Sequence, residues 1–223
     1  MGIINLHIVK INQLLDSHFQ RDKEKTVAVI GFPDLYQNLP LLEELFGRTI
    51  IKRSKLNDVI QLIELLKIKF NCKSTIFDVA QHRGLEVYLD LNKPLPAEYK
   101  NKFDFVIDSS CLEHCFNIAQ AFNNLCDLVK VGGIVTTVAP VYDFNHGYFN
   151  VNPLFHEDGF KYNGFDILSQ NIINEWGDII PEFGPKSRPH KSYILSAAIK
   201  KIDQDFVYPI QRSKPKSKRY DEK

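Results

Sequence analysis

Histidine is the residue type in this sequence that offers the widest range of acid–base chemistry. An imidazole has an unperturbed pKa near neutrality, so it can take a proton from a substrate hydroxyl. His146 lies in a polar and aromatic stretch with Tyr148 and Asn150, and His114 lies at the start of a predicted helix. We predict that His146 acts as a general base, with His114 as the competing candidate and His156 as a third, and that Tyr148 and Asn150 contact the substrate. A structural or solvent-facing role is the alternative for each histidine alone.

Three aspartates each lie at or near the end of a short apolar run that predicts a buried β-strand, and they are Asp78, Asp90 and Asp108. If the runs form a parallel sheet, their carboxyl ends meet at one edge, where ligands of open α/β sheets bind. A carboxylate at that edge can accept hydrogen bonds from ribose hydroxyls. We therefore predict a ligand crevice there. The alternatives are a loop cap at Asp78 and a turn at Asp90, since aspartate is common in both.

The longest continuous pattern in the chain predicts a strand, a helix and a second strand. Phe103–Asp108 and Ile134–Ala139 are the apolar runs, and apolar residues between them recur at helical spacing. Ser110 and Glu113 form the S-x-x-E pattern of a helix start. The pair Gly132-Gly133 predicts the end of that helix. Two strands joined in this way need a right-handed crossover and therefore lie parallel in one sheet.

This segment resembles the fourth strand, the following helix and the fifth strand of class I S-adenosylmethionine-dependent methyltransferases. Asp104, Leu112-Glu113-His114 and Gly132-Gly133 stand in the order and at the spacing typical of that family. The resemblance covers about residues 74–167. It implies an α/β, Rossmann-like fold with a mostly parallel sheet of the seven-stranded type, helices on both faces and an antiparallel last strand. It also implies S-adenosylmethionine as the cofactor.

The same resemblance implies which residues bind the cofactor. The turn after the first strand would hold its methionine end, Asp78 its ribose hydroxyls, and Asp90 with the neighbouring Asn92 its adenine. That turn is usually rich in glycine in the family, whereas here Gly31 is its single glycine. The residues predicted to line the cofactor crevice are Gly31, Phe32, Asp34, Asp78, Asp90, Asn92, Ser109 and Ser110.

The remaining elements follow from hydrophobic periodicity and from glycine and proline breaks. The predicted helices span residues 3–20, 38–47 and 57–70, with a short helix from His156. The predicted strands are Thr26–Gly31, a short one at Thr49–Ile51, Ser74–Val79, Leu85–Leu91, one starting at Phe165 or at Ile172, and Ser192–Ile202. This alternation of strands and helices is typical of an α/β sheet.

Composition and charge are ordinary for a globular protein. Of the 223 residues 44% are hydrophobic and 25% are charged, and the net charge of +1 favours neither nucleic acid nor an anionic membrane as a partner. No apolar run reaches the ~18–20 residues of a membrane span, and the cytoplasm is the expected compartment. We predict one domain over residues 1–208 and a basic, disordered tail over 209–223. No metal is expected, because Cys111, His114 and Cys115 lack a second cluster of ligands.

These observations lead to a functional hypothesis. The sequence predicts an S-adenosylmethionine-dependent methyltransferase that modifies an oxygen or nitrogen of a small-molecule or sugar-like acceptor. Such a protein mainly has to align the acceptor with the methyl group and remove one proton. The alternative is a methyltransferase-like fold without catalysis that serves as a binding or scaffold module, which the single-glycine turn would favour. A sheet that binds another nucleotide is a third possibility, although the G-x-G-x-x-G and P-loop patterns are absent from the sequence.

Overall fold

The computed structural model describes residues 5–20, 22–35, 39–53, 60–81, 83–180 and 191–210. Its helices are, in chain order, α1 (Asn5–His18), α2 (Leu39–Phe46), α3 (Arg48–Arg53), α4 (Leu62–Phe70), α5 (Ile118–Leu128) and α6 (Pro153–Tyr162). Its strands are β1 (Lys25–Ile30), β2 (Asp34–Leu35), β3 (Ile60–Gln61), β4 (Cys72–Asp78), β5 (Glu86–Tyr88), β6 (Phe103–Ser109), β7 (Val129–Tyr142), β8 (Phe165–Asn174) and β9 (Ser192–Lys200). Single turns of 3-10 helix lie at Ala97–Tyr99 and Leu112–His114.

Seven of the strands form one mixed sheet in the order β5-β4-β1-β6-β7-β9-β8. All neighbouring pairs from β5 to β7 are parallel, and β9 runs antiparallel to both β7 and β8. This confirms the predicted Rossmann-like fold with its antiparallel last strand. The strand order reverses next to β1, and ligand crevices of doubly wound sheets open at such a switch point. β2 and β3 form a separate antiparallel pair.

Helices cover both faces of the sheet because successive residues of a strand point to opposite sides. In β1, Val27 and Val29 pack into one apolar cluster, whereas Ala28 and Ile30 pack into another. The first cluster contains buried residues of α1, α2 and α4, and the second contains those of α5 and α6. The two cores hold the central strands from both sides, so the positions of the strand ends are fixed.

The helix predicted to start at Ser110 begins later in the structure. α5 starts at Ile118, and the side chain of its N-cap Asn117 accepts a hydrogen bond from the Gln120 amide at 3.4 Å. Ser110 has a left-handed backbone conformation with a φ of 69°, and its hydroxyl donates to the Glu113 carboxylate. The capping-box prediction was therefore wrong, because the two side chains bond to each other and not to the amides of a helix start.

The short strand predicted at residues 49–51 was also wrong, since these residues lie in α3. α2 ends before Gly47, whose φ of 84° is left-handed. The Gly47 carbonyl then accepts hydrogen bonds from the amides of Ile50 and Ile51, so a second helix begins at once. Glycine thus ends one helix and starts the next, where the sequence suggested a break followed by a strand.

Other boundaries shift without changing the order of the elements. The pair Gly132-Gly133 lies inside β7, which follows α5 directly, and β5 has three residues where seven were predicted. The helix predicted over 57–70 begins at Leu62, because Ile60 and Gln61 form β3, and residues 57–59 lie outside the described residues. The predicted tail is described only to residue 210. Among the described residues, no helix combines the length and apolar character needed to cross a bilayer.

Candidate functional site

A pocket opens at the carboxyl ends of β1, β4 and β5, next to the 3-10 turn at Leu112–His114. It encloses about 160 Å³. Among its lining residues are five that the sequence predicted for the site, namely Gly31, Asp78, Asp90, Asn92 and His114. The rest of the wall is apolar and comprises Ile30, Phe77, Val79, Leu89, Leu91, Cys111 and Cys115. An apolar wall with a few carboxylates suits a ligand that carries a flat ring and hydroxyl groups.

Asp78 ends β4 with both carboxylate oxygens already in hydrogen bonds. Oδ2 accepts from the Phe32 amide at 3.2 Å, and Oδ1 accepts from the Ala80 amide at 2.9 Å. An ionised carboxylate has about four acceptor positions, so two amides leave acceptor capacity for the hydroxyl groups of a ligand. Asp78 therefore combines loop capping with a position on the pocket wall, the two interpretations that its sequence context left open.

Asp90 and Asn92 form a second polar wall and connect the pocket to α5. Asp90 Oδ1 accepts hydrogen bonds from the side chain and the backbone amide of Asn92, both at 3.0 Å. These bonds, the side-chain one above all, lower the pKa of Asp90 and keep its carboxylate charged. Asn92 Oδ1 in turn accepts from the backbone amide of Asn117, the N-cap of α5, at 2.9 Å. The position of the carboxylate is thus coupled to the start of α5.

The turn after β1 is closed by an ion pair. Asp34 is buried, and its two carboxylate oxygens accept from the two terminal nitrogens of Arg83, each at 2.8 Å. The Arg83 guanidinium also lies 3.7 Å from the centre of the Phe32 ring. Phe32 and Asp34 therefore contact Arg83. Gly31, with its left-handed φ of 74°, is the one among residues 31–35 that lines the pocket.

A second polar cluster adjoins the pocket through His114. Glu113 Oε1 lies 3.3 Å from His146 Nε2 and 3.9 Å from His114 Nε2. The Ser110 hydroxyl contacts both Glu113 and His146, the latter at 3.3 Å. The centroids of the two imidazole rings are 5.2 Å apart. Because His114 belongs both to the pocket wall and to this cluster, the two polar regions are continuous.

Glu113 is buried although it carries a carboxyl group. Burial raises its pKa to about 8, the negative charge of Asp108 adds to the rise, and the hydrogen bond from Ser110 opposes it. Asp108 is itself fully buried, and burial raises its pKa to about 6 despite hydrogen bonds from Thr137 at 2.6 Å and the Cys111 amide at 3.0 Å. The site thus holds two carboxyl groups whose charge costs free energy unless a proton or a cation compensates it.

Asp143 holds His146 from the opposite side of its ring. His146 Nδ1 lies 3.4 Å from Asp143 Oδ2, and the Tyr193 hydroxyl donates to the same oxygen at 2.6 Å. Lys191 Nζ lies 3.2 Å from Asp143 Oδ1. Burial and the bond to Asp143 raise the pKa of Tyr193, so its hydroxyl remains a donor. A carboxylate on Nδ1 favours a proton on that nitrogen and leaves Nε2, which faces Glu113, free to accept a proton or a metal.

Gly147 lets the loop that carries His146 pack closely onto Glu113. The Tyr148 amide donates to the Glu113 carbonyl at 2.9 Å. A Cβ at position 147 would lie 2.9 Å from that carbonyl oxygen and 2.9 Å from Glu113 Cγ, which is closer than a side chain tolerates. This approach therefore needs a glycine. Asn150 supports the same loop, because its Oδ1 accepts from the Asp143 amide at 3.0 Å.

Two exposed aromatic side chains, Phe116 and Tyr148, stand beside this cluster and are called the aromatic rim below. They are 76% and 66% exposed, and their ring centroids lie 5.5 Å apart in an edge-to-face arrangement. Large apolar side chains that are exposed together mark binding surfaces in soluble proteins. The aromatic rim therefore offers a second molecule an apolar surface next to His146.

The comparisons with known proteins show similarity in structure. No protein-family profile matches the sequence, and no curated protein matches it. The cyclase SpnF aligns over 86% of this chain and 80% of its own, with 14% identity and a TM-score of 0.52. The CurJ carbon methyltransferase aligns over 88% of this chain and 54% of its own, with 12% identity and a TM-score of 0.52. The CMeT domain of the citrinin polyketide synthase aligns over 87% of this chain and 51% of its own, with 9% identity and a TM-score of 0.50. The chain has the fold of the class I S-adenosylmethionine-dependent methyltransferases.

In this methyltransferase fold, the pocket lies at the strand ends to which the sequence resemblance assigned the cofactor. Identities of 9–14% carry the fold alone. These structures include both a cyclase and a carbon methyltransferase, so the fold hosts more than one chemistry and does not fix the reaction.

Two residues that the sequence placed near the site have partners in the core of the methyltransferase fold. Ser109 is buried, and its hydroxyl lies 3.1 Å from His7 Nδ1. His156 is buried beside the Phe122 ring, with Nδ1 3.0 Å from the Ser196 hydroxyl. Burial lowers the pKa of His156 to about 3 and keeps it neutral. Neither side chain lines the pocket described above, and the geometry favours the structural alternative for His156.

Sequence reasoning missed several members of the cluster. Glu113 stood in the Leu-Glu-His motif, and its place three residues after Ser110 and directly before His114 could have identified it. Asp143 precedes His146 by three residues, a spacing that could have indicated a pair. Tyr193 gave no local signal, because it reaches the site only through the antiparallel pairing that sets it opposite Pro140.

Proposed function

We propose that the protein is an S-adenosylmethionine-dependent methyltransferase that acts on a small-molecule or sugar-like acceptor. The observation that carries the proposal is the double position of His114, which lines the pocket and also lies 3.9 Å from Glu113 in the cluster with His146. A methyl donor in the pocket and an acceptor at the cluster would be neighbours. Transfer between two bound molecules requires this proximity.

The pocket residues fit the adenosine end of S-adenosylmethionine. Asp78 and Asp90 are acceptors for hydroxyl and amino groups, and Leu89, Leu91 and Cys115 offer apolar surface to a flat base. S-adenosylmethionine bound there supplies an activated methyl group for in-line displacement. The chain's own residues then have to orient the acceptor, exclude water and take up or release one proton.

The acceptor would bind between the aromatic rim and the cluster. Phe116 and Tyr148 supply apolar contact, and the exposed Asn150 offers its side-chain NH₂ group, since its oxygen is used by the Asp143 amide. The proton of the acceptor leaves on the side where His146 and His114 lie. The Asp143 carboxylate contacts His146 Nδ1 and orients the imidazole for this role before the acceptor binds.

Calorimetric titration with S-adenosylmethionine and, separately, with S-adenosylhomocysteine tests the donor site. We expect binding in the micromolar range that is lost in Asp78→Ala, because that variant removes the acceptor for ribose hydroxyls. Asp166→Ala is the matched control, since Asp166 is an exposed aspartate of β8. Absence of heat and of a thermal shift at millimolar ligand would reject the proposal.

Replacement of His146 tests the acceptor side. In His146→Ala we expect turnover with any acceptor found by screening to fall about 100-fold or more, with unchanged S-adenosylmethionine binding, because the residue acts on the acceptor's proton and not on the donor. His18→Ala, at the exposed end of α1, is the control. Equal turnover in the two variants would remove His146 from the reaction.

A binding module without catalysis is the second candidate, and the closed turn after β1 favours it. Arg83 engages both oxygens of Asp34, and among the residues of this turn that the structure describes, the pocket wall includes Gly31 but neither Phe32 nor Asp34. The titration above separates the candidates. A methyltransferase binds the donor, whereas a module that has lost the cofactor gives no heat with either ligand.

A further inference from the structure

Three side chains of the cluster are arranged like the ligands of one metal ion. Glu113 Oε1 lies 3.3 Å from His146 Nε2 and 3.9 Å from His114 Nε2. One ligand atom from each of the three residues lies within 4.8 Å of the others. In a tetrahedral zinc site with bonds of about 2.0–2.1 Å, neighbouring ligand atoms lie about 3.4 Å apart. The first pair already has this spacing, and the half-exposed His114 ring needs a movement of the order of an ångström.

The buried carboxylate gives an independent reason for a cation. The Glu113 side chain has 0% exposed surface, and Oε2 has no hydrogen-bond partner among the described residues. A buried polar atom without a partner costs free energy and is uncommon in folded proteins. Asp108, a second buried carboxyl, adds negative potential at Glu113. A divalent cation bound through both carboxylate oxygens of Glu113 would give Oε2 a partner and offset both negative charges.

The surroundings of His146 are those of a metal ligand. A histidine that binds metal through one ring nitrogen almost always donates the other N–H to a carboxylate or a carbonyl. Here Nδ1 faces Asp143 Oδ2 at 3.4 Å, while Nε2 faces Glu113. Asp143 is itself fixed by the Tyr193 hydroxyl at 2.6 Å and by Lys191 at 3.2 Å. The imidazole is therefore oriented for coordination before any ion arrives.

We propose that Glu113, His114 and His146 bind a divalent transition-metal cation of the Zn²⁺ type. Two imidazole nitrogens and one carboxylate oxygen suit zinc and its neighbours, whereas Mg²⁺ and Ca²⁺ prefer oxygen ligands. Three protein ligands leave coordination positions open. His114 lines the pocket, and Tyr148 of the aromatic rim lies in the same loop as His146. The open positions of the cation would therefore face the region between the pocket and the aromatic rim.

The site differs from the one that the sequence had suggested and rejected. The thiols of Cys111 and Cys115 donate to backbone carbonyls, at 3.2 Å to Ile30 and at 3.5 Å to Cys111. The missing ligands come instead from the residue before His114 and from the loop at His146. No metal was expected because the sequence shows no second cluster of ligands, and only the fold brings the His146 loop close to His114.

The cation gives the acceptor site a specific chemistry, and this part of the inference rests on the proposed function. An acceptor hydroxyl bound to the cation ionises more readily, because a metal lowers the pKa of a coordinated oxygen. Its proton passes to solvent water, and the oxygen forms the new bond to the methyl carbon as the bond from that carbon to sulfur breaks. His146 then acts as a ligand, and the preferred acceptor carries a hydroxyl group that can reach the ion.

Metal binding is measured directly on the full chain after treatment with a chelator. Zn²⁺ is titrated by calorimetry and Co²⁺ by its visible absorption, with Mg²⁺ as the oxygen-preferring comparison. We expect one equivalent of Zn²⁺, bound at least about 100-fold more tightly than Mg²⁺, and a Co²⁺ spectrum of low coordination number. Stoichiometric Mg²⁺ binding with equal affinity, or no Zn²⁺ binding, overturns the proposal.

Variants assign the bound ion to its ligands. Glu113→Gln, His114→Ala and His146→Ala should each weaken Zn²⁺ binding about 100-fold or more, and Asp143→Asn, which disturbs only the support of His146, about 10-fold. Circular dichroism of each variant shows whether it folds. His18→Ala and Cys72→Ser are controls that should bind Zn²⁺ as the original chain does, since neither residue lines the pocket or belongs to the ligand group. Binding that survives all three ligand variants, or that is lost in either control, overturns the assignment.

Failure of the metal site and failure of methyl transfer give different results. A chain that binds Zn²⁺ at one site but gives no heat with S-adenosylmethionine retains the metal site and loses the proposed methyltransferase function. A chain that binds S-adenosylmethionine but no Zn²⁺ retains the donor site and overturns the metal inference. The second result returns the role of proton acceptor to a free His146.

Discussion

Gly147 is the residue on which the position of His146 depends most directly, because its backbone touches Glu113. In Gly147→Ala the new methyl group would lie 2.9 Å from the Glu113 carbonyl oxygen. The loop then has to move away from Glu113, and we expect unfolding free energy to fall by about 1–3 kcal/mol and turnover by about 10-fold or more. Chemical denaturation and initial rates measure the two effects.

Gly84→Ala is the control for this change. Position 84 has a left-handed φ of 72°, and no atom lies within 4 Å of the place that an alanine methyl group would occupy. Alanine there costs about 1 kcal/mol of backbone strain and touches nothing in the site. Stability should fall in both variants, and turnover only in Gly147→Ala. Normal turnover in Gly147→Ala would mean that the loop position does not control His146.

Tyr193 is a positioning residue, since it contacts Asp143 and through it His146. Tyr193→Phe removes the hydroxyl that donates to Asp143 at 2.6 Å and leaves the ion pair with Lys191. We expect turnover to fall about 10-fold while S-adenosylmethionine affinity is unchanged, because Asp143 gains freedom and His146 loses its fixed orientation. Tyr162→Phe, which changes an exposed tyrosine at the end of α6, is the control. Unchanged turnover would assign the fixing of Asp143 to Lys191.

At the scale of the element, the sequence predicted most strands and helices because their apolar residues follow the period of each element. Val27 to Ile30 alternate between two cores, as a buried strand requires. The start of α5 was not predictable from Ser110 and Glu113. The same S-x-x-E pair can cap a helix or close on itself, and the left-handed Ser110 selects the second.

The link between α5 and the pocket can be tested at Asn92. Its side chain donates to Asp90 at 3.0 Å and accepts from the Asn117 amide at 2.9 Å. Asn92→Ala keeps the Asp90 carboxylate but removes both bonds, and we expect calorimetry to show S-adenosylmethionine affinity about 10-fold weaker.

Asn117→Ala is the comparison for this element. It removes the side-chain cap of α5 and leaves the backbone amide that Asn92 contacts. We expect a loss of about 1 kcal/mol in unfolding free energy with little change in affinity. Equal loss of affinity in both variants would mean that the cap of α5, and not the Asn92 bridge, sets the position of Asp90.

At the scale of the whole molecule, local pattern predicts the layers of the fold but not the cluster beside the pocket. Ser110, Glu113, Asp143 and Tyr193 come from three segments that only the complete sheet brings together. The strand-end aspartates were predictable because parallel strands place their ends at one edge. A register between β7 and β9 is a property of tertiary packing, and a single sequence carries no periodic signal for it.

Buried histidines make the stability of the molecule depend on pH. The His7 ring forms hydrogen bonds with the hydroxyls of Ser109 and Thr136, and the His156 ring forms one with the Ser196 hydroxyl. Burial lowers the pKa of both histidines to about 3. Below about pH 6.5 these residues bind protons in the unfolded chain but stay neutral in the folded chain. Their contribution to stability is therefore complete above pH 6.5 and is lost as the pH falls toward 3.

The change is about 1.4 kcal/mol per pH unit for each histidine. Asp108, whose pKa is raised to about 6, has the opposite effect. The slope of unfolding free energy against pH in the original chain is therefore a sum over several groups. The difference between His156→Gln and the original chain isolates one of them. His156→Gln should be less stable at pH 7 and should regain about 3 kcal/mol relative to the original chain between pH 6.5 and 4.5.

Urea unfolding at several pH values measures this difference. His18→Gln, which replaces an exposed histidine of α1, is the control and should follow the original chain at every pH, because it leaves the buried His156 in place. If the unfolding free energy of His156→Gln changed with pH in the same way as that of the original chain, His156 would take up its proton in the folded state. Its ring would then be open to water, and the aromatic packing of α5 against α6 around Phe122 would be looser than the structure shows.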